Sequence, residues 1–222
     1  MLAVFDWDGT LMDSTRKIVV CMQRAAKDGG LPALDDPVIE NIIGLGLPEA
    51  IESLYPGLPA AKADHLRVRY AEYFVNLDRT PMPLFDGVVE GLQALRTQGV
   101  RLAVATGKSR KGLDRILGML DLQHLFDVTR CADETASKPN PKMLQELLAV
   151  TAMGVERAVM VGDTEYDMAM AKAIAMPRIA VDYGAHHIDR LKPYEPVLCA
   201  GHFSDVTHWI LQNLTARPLL RS

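Results

Sequence analysis

Cysteine is scarce in this chain. Cys21, Cys131 and Cys199 lie far apart with no C-x-x-C spacing, which argues against a disulfide framework and against a thiolate zinc site. No apolar run approaches the ~18 residues that a membrane-spanning helix needs, so no membrane association is expected. The chain opens Met1-Leu2-Ala3-Val4-Phe5-Asp6, with no basic stretch leading into an apolar one. A secretory leader is therefore not expected, and a cytoplasmic location is. An excess of charge is missing too: 28 acids against 24 bases leave a net −4 with no dense basic stripe, a poor basis for nucleic-acid binding. Internal repeats and low-complexity tracts are absent. What is present is ordinary globular composition, 222 residues of which 49% are hydrophobic and 23% charged. A chain of this length can bury a sizeable core without a disulfide or structural metal.

Four short apolar runs read as strands buried on both faces: Leu2–Phe5, Arg101–Ala105, Ala158–Val161 and Arg178–Val181. They are too short for helices and rich in Val, Ile and Ala. Val128–Cys131 is a weaker fifth candidate. Between them lie helical patterns, one with Val88, Val89, Leu92 and Leu95 ahead of Gly99, another opening at Asn140-Pro141 and ending by Gly154. Strands alternating with helices predict a doubly wound parallel α/β sheet, a Rossmann-like core. In such sheets the ligand sits beyond the carboxyl ends of the strands. Residues 15–83 break the alternation. Helical patterns at Ile18–Ala26, Leu47–Leu54 and Ala63–Asn76 predict an inserted α-helical cap domain over 15–83, with 1–14 and 84–222 forming the core.

The strand ends carry the chemistry. Asp6-Trp7-Asp8-Gly9-Thr10 follows the first strand, and Gly9 permits a turn that brings Asp6 and Asp8 to one pocket. Gly162-Asp163-Thr164-Glu165-Tyr166-Asp167 follows another strand, and Asp163 and Asp167 are spaced to share a helix face. Four converging carboxylates would repel one another and raise their own pKa values. A hard divalent cation relieves this, and Mg²⁺ suits an all-oxygen site that also accepts phosphate oxygens. Lys138, held extended by Pro139, supplies a further cation, and Thr106 and Gly107 offer a hydroxyl and a backbone N–H. Nucleophile, metal, cation and amide donors together describe phosphoryl transfer.

In this order the motifs resemble those of the haloacid dehalogenase superfamily, whose fold and helical cap the whole chain would share. Asp86-Gly87 and the Lys-Pro-x-Pro run at Lys138 make the phosphoglycolate phosphatase-like branch the most similar. The resemblance implies Mg²⁺-dependent hydrolysis of a small phosphorylated metabolite by a monomer or homodimer. It casts Asp6 as the nucleophile that forms an aspartyl-phosphate and Asp8 as the acid and base. Side chains of Asp6 and Asp163 and the backbone carbonyl of Asp8 would hold Mg²⁺. Thr106, Gly107 and Lys138 would bind the phosphoryl oxygens, and Asp167 would orient Lys138 or a water on the metal. A phosphosugar mutase uses the same two aspartates, and a catalytically silent phosphate-binding module would keep the fold alone; these are the rival readings.

Three further features have expectations attached. Gly44-Leu45-Gly46 reads as a substrate-facing cap loop, and His186-His187 as an exposed loop. Lys108, Arg110 and Lys111 read as a solvated helix start, with Lys108 close enough to meet an anionic substrate. The cap cations, among them Lys17, Arg24, Lys62 and Arg67, are not placed relative to the site by sequence, so the particular phosphomonoester is not legible.

Overall fold

The structure is a computed structural model that describes residues 1–213. Residues 214–222, assigned above to the core, lie outside the described residues. Six strands, β1 (Leu2–Phe5), β2 (Arg101–Thr106), β3 (Val128–Cys131), β4 (Ala158–Gly162), β5 (Arg178–Val181) and β6 (Leu198–Ala200), form one sheet in the order β3-β2-β1-β4-β5-β6. Every pairing is parallel. The fold is the expected α/β doubly wound sheet. The sixth strand escaped the sequence reading because an edge strand of three residues, Leu198–Ala200, carries little apolar signal.

Side chains alternate across the sheet, as the two-residue period of a strand requires. On one face Ala3 and Phe5 of β1 pack with Leu102, Val104, Val159 and Val161. On the other, Leu2 and Val4 pack with Ala103, Ala105, Ala158 and Met160. Both faces are therefore covered, which is why these strands read as unbroken apolar runs.

After β1 the chain leaves the sheet for α1 (Thr15–Asp28), α2 (Asp36–Glu40), α3 (Leu47–Leu54) and α4 (Ala60–Glu72), the last running on through a single π-helical turn, Tyr73–Leu77. Their apolar faces meet each other rather than the sheet: Met22, Ala25 and Ala26 of α1 pack with Ile51 and Leu54 of α3 and Leu66 of α4. The outgoing and returning chains run side by side at the junction, where Asp13 N donates to Pro83 O at 2.8 Å and Phe85 N to Leu11 O at 3.0 Å.

The remaining helices are α5 (Val88–Thr97), α6 (Arg110–Leu120), α7 (Lys142–Thr151), α8 (Glu165–Lys172), α9 (Ile188–Leu191) and α10 (Phe203–Asn213). Leu92, Leu113 and Val206 bring α5, α6 and α10 onto the Phe5 face; Met143 and Met170 bring α7 and α8 onto the Val4 face. Helix α7 stops at Thr151, short of Gly154, with Ala152 in the left-handed region at φ 50°. The strand order changes direction around β1, flanked by β2 and β4, so a crevice opens at the carboxyl end of β1.

Candidate active site

Asp6, Thr106 and Asp163 stand at the carboxyl ends of three neighbouring strands, β1, β2 and β4. Asp6 remains in the sheet's hydrogen bonding, its N–H donating to Val161 O at 3.0 Å. The chain then reverses at Gly9, whose φ is +80° and at which an added Cβ would lie 2.1 Å from Asp163 Oδ2. Glycine is required there twice over, for the backbone conformation and for the close approach. The turn lets Thr10 Oγ1 donate to Asp163 Oδ1 at 2.7 Å.

Lys138 enters from the loop between β3 and α7 and is completely enclosed. Its Nζ is 2.7 Å from Asp6 Oδ1 and 2.7 Å from Asp167 Oδ1. The contacts are ion pairs whose angles fall outside hydrogen-bond geometry, and Asp6 Oδ2 has no partner among the described residues. Asp167 is doubly engaged, because its Oδ2 accepts from Thr164 N at 3.2 Å and Thr164 Oγ1 at 2.7 Å in the capping box that opens α8. Asp163 Oδ2 accepts from Ala185 N at 2.8 Å.

The electrostatics follow from burial. Desolvation pushes the Asp6 carboxyl well above the usual range; Lys138 opposes the shift, and Asp167 and Asp163 add to it. Asp163 is pushed up to about 7, first by burial and then by Asp167, against hydrogen bonds from Ala185 and Thr10. Burial also works against the Lys138 ammonium, but Asp167 and Asp6 outweigh it and raise its pKa. One lysine thus faces more carboxylate than it can neutralise.

A divalent cation fits this deficit. One oxygen each from Asp6, Asp163 and Asp167 lies within 4.8 Å of the others, and the unpartnered Asp6 Oδ2 is the atom most in need of a cation. Asp163 and Asp167 each have both oxygens engaged by neighbouring groups, so among the three only Asp6 keeps an oxygen without a partner.

Asp8 lies at the wall of the crevice. Lys108 Nζ reaches both its oxygens, at 2.8 Å and 2.9 Å, and Ser14 Oγ donates to Oδ1 at 2.6 Å. The same ammonium sits 4.9 Å from the centroid of the Phe74 ring in the inserted segment. Lys108 is therefore not the solvated residue its neighbours suggested, whereas Arg110 does face outward, paired with Glu134 and Asp114. The available signal was position, since Lys108 follows the strand-end Thr106 by two residues.

Asp6, Asp8, Thr106 and Gly107 all border one cavity of about 490 Å³ between the sheet and the inserted helices, while Lys138, Asp163 and Asp167 lie beneath its floor. The Gly44-Leu45-Gly46 loop lines the same cavity. It presses on Gly107 so closely that a Cβ there would be 2.4 Å from Leu45 O, and Gly46 N donates to Ser137 Oγ at 2.8 Å. His186 overturns its expectation. It is buried, its Nδ1 accepting from Glu165 N at 3.2 Å and its Nε2 facing Asn41 O at 3.3 Å. Desolvation lowers its pKa. His187 alone is exposed. A lone histidine in a loop gives no periodic signal, so its burial was not legible.

Comparison with known proteins agrees with this geometry. Residues 3–181 match the family model described as haloacid dehalogenase-like hydrolase. A protein of Dickeya dadantii named probable phosphatase IndB is 38% identical over 215 residues, covering 92% of this chain and 91% of its own. A phosphoglycolate phosphatase of Colwellia psychrerythraea is 29% identical over 212 residues, 91% of this chain and 93% of its own. The crystal structure of a hydrolase from Pseudomonas syringae superposes with a TM-score of 0.86 at 20% identity, over 96% of this chain and 98% of that one.

Proposed function

The chain belongs to the haloacid dehalogenase-like hydrolases and is a phosphatase, and from that premise we propose that it hydrolyses a small phosphomonoester through a phospho-enzyme on Asp6, with Mg²⁺ as its cation. The observation that carries this reading is the Asp6 carboxylate: one oxygen paired with enclosed Lys138, the other unpartnered, at the floor of a cavity. Asp6 attacks phosphorus, the P–O bond to the alcohol breaks, and Asp8 gives the departing oxygen its proton. Asp8 then takes a proton from the water that attacks the phospho-enzyme, releasing phosphate and restoring Asp6. Lys138 and the Thr106 hydroxyl meet the phosphoryl oxygens, whose charge spreads in the transition state. A divalent cation held by Asp6, Asp163 and the Asp8 carbonyl would offset the remaining negative charge. Asp167 holds Lys138 in place. The helices of 15–83 form the lid, which keeps water from the phospho-enzyme while the alcohol is present.

The roles of Asp6 and Asp8 are tested by leaving group. Asp8→Ala keeps the nucleophile but loses the acid and base. The need for an acid falls as the leaving group becomes a more stable anion. An aryl phosphate should therefore still phosphorylate Asp6 in this variant, and the adduct should accumulate because hydrolysis lacks its base. An alkyl phosphate should react ~100-fold or more slower than with the wild type. Acid-quenched single turnovers read by intact mass give the result; equal losses for both leaving groups overturn the assignment.

The metal is tested by stability. An unfolded aspartate loses its proton near pH ~4, whereas Asp163 in the folded chain holds one to about pH 7. Between these values the folded state binds the extra proton, so stability falls as pH rises. Cation binding to the ionised site restores it by mass action. Mg²⁺ should thus raise the melting temperature clearly at pH ~8 and little at pH ~5, measured by calorimetry on stripped protein. A gain independent of pH places the cation elsewhere.

A further inference from the structure

We propose that the phosphomonoester carries an apolar alcohol about the size of a six-membered ring, not a short carboxylated one such as phosphoglycolate. The proposal rests on the phosphatase reading above and concerns the half of the cavity that the phosphoryl group does not reach.

The first observation is the wall. Ile18, Met22, Ile42, Ile43, Tyr70 and Phe74 of the inserted segment line the cavity. Tyr70 and Phe74 stand one turn apart with ring centroids 5.7 Å from each other. A carboxylate lodged against these side chains would lose its water and find a single donor among them, the Tyr70 hydroxyl, an unfavourable exchange. A hydrocarbon loses nothing there.

The second observation is where the cap's cations went. Lys17 Nζ donates to Asp78 O at 3.0 Å and Arg24 pairs with Asp78 at 2.9 Å, neither of them lining the cavity. Lys62 does not line it either. Arg67 does, but its exposed guanidinium is bonded to Asp64 Oδ1 at 2.7 Å. On the core side Lys108 is engaged by both oxygens of Asp8. Among the described residues this leaves Arg115 of α6 as the remaining cation on the wall: it pairs with no carboxylate, its Nη1 faces Met119 Sδ at 3.5 Å, and its buried Nε has no partner. Arg115 is therefore the one wall cation open to a substrate anion, and replacing it separates the two substrate classes.

The third observation is size. A cavity of about 490 Å³ holds roughly sixteen water-sized volumes at ~30 Å³ each. Phosphoglycolate, with about nine non-hydrogen atoms, would leave much of that space to water against apolar walls, whereas a ring would displace it.

The experiment compares benzyl phosphate, ethyl phosphate and phosphoglycolate with the Mg²⁺-loaded enzyme. Benzyl and ethyl alcohols are of similar acidity, so a difference in kcat/KM reports the apolar wall and not the leaving group. Benzyl phosphate should exceed both others by about 30-fold or more, since each well-buried methylene is worth ~10-fold or more in such a pocket. Arg115→Ala should leave its kcat/KM within about twofold. A preference for phosphoglycolate that Arg115→Ala abolishes overturns the proposal. Calorimetric titration with the non-hydrolysable phenethylphosphonate and phosphonopropionate decides the matter independently of turnover. The aromatic ligand should bind at least ~10-fold tighter with a negative heat-capacity change, and equal or weaker binding overturns the proposal. Should none of the three phosphates be hydrolysed while the titration still favours the aromatic ligand, the phosphatase reading fails and the apolar subsite stands.

Discussion

Asp6→Ala should lower kcat by about 10⁴- to 10⁶-fold, the loss typical of removing a nucleophile that acts as part of a unit, and should leave no phosphorylated protein with any substrate. Among the described residues no other side chain is placed to replace it: Lys138 occupies one Asp6 oxygen at 2.7 Å, and the remaining carboxylates on that floor are held by Thr10, Ala185 and Thr164. The same substitution should not destabilise the fold. Burial and the charges of Asp167 and Asp163 disfavour ionised Asp6, so its removal relieves repulsion and leaves Lys138 paired with Asp167. The metal-free variant should melt at or above the wild-type temperature near neutral pH, well above the pH ~4 at which the penalty begins. Acid quench with intact mass measures the first effect and calorimetry the second. An adduct in Asp6→Ala, or a melting temperature far below the wild type, contradicts the geometry.

Lys138→Ala should fail in both respects. Its side chain is fully enclosed and bridges two carboxylates. Truncating it strands both charges away from water, and breaking a buried pair in this way typically costs ~3–5 kcal/mol. For a chain of this length that is a fall of roughly 10 °C in melting temperature. Turnover should drop by about 10²- to 10³-fold, the effect of removing one donor aimed at developing transition-state charge. From sequence alone the substitution is expected mainly to lower turnover. Near-wild-type kcat with an unchanged melting temperature would show that Lys138 neither bridges the carboxylates nor meets the phosphoryl group. The contrast between the two variants, one inactive and stable and the other inactive and fragile, separates nucleophile from counter-ion.

Much of this molecule is legible in its sequence. Runs such as Leu2–Phe5 and Ala158–Gly162 announce doubly buried parallel strands because burial on both faces removes the polar alternation. The acidic and lysine motifs announce the site because carboxylates so close together demand a cation wherever the fold brings them. The insertion was visible as a break in the strand–helix alternation. These are local signals, set by the spacing of residues along the chain.

Other features were fixed only when the sheet assembled. The order β2-β1-β4 sets Asp6 beside both Thr106 and Asp163, and no short-range pattern encodes which strand lies next to which. Lys108 meets Asp8 across a separation of 100 residues and Phe74 from the inserted helices, so its change from solvated lysine to partner of Asp8 exists only in the packed molecule. His186 is buried because β5's loop folds back onto Asp163 and the cap's Asn41. The apolar cavity has the same origin, since its wall comes from helices whose own sequences show which residues are buried but not what they face. Sequence determined which segments would form strands and helices and which of their apolar residues would be buried, because those properties follow from each segment's own composition and period. Tertiary structure decided which of them touch, because contact between distant segments depends on the strand order and on how the cap docks over it.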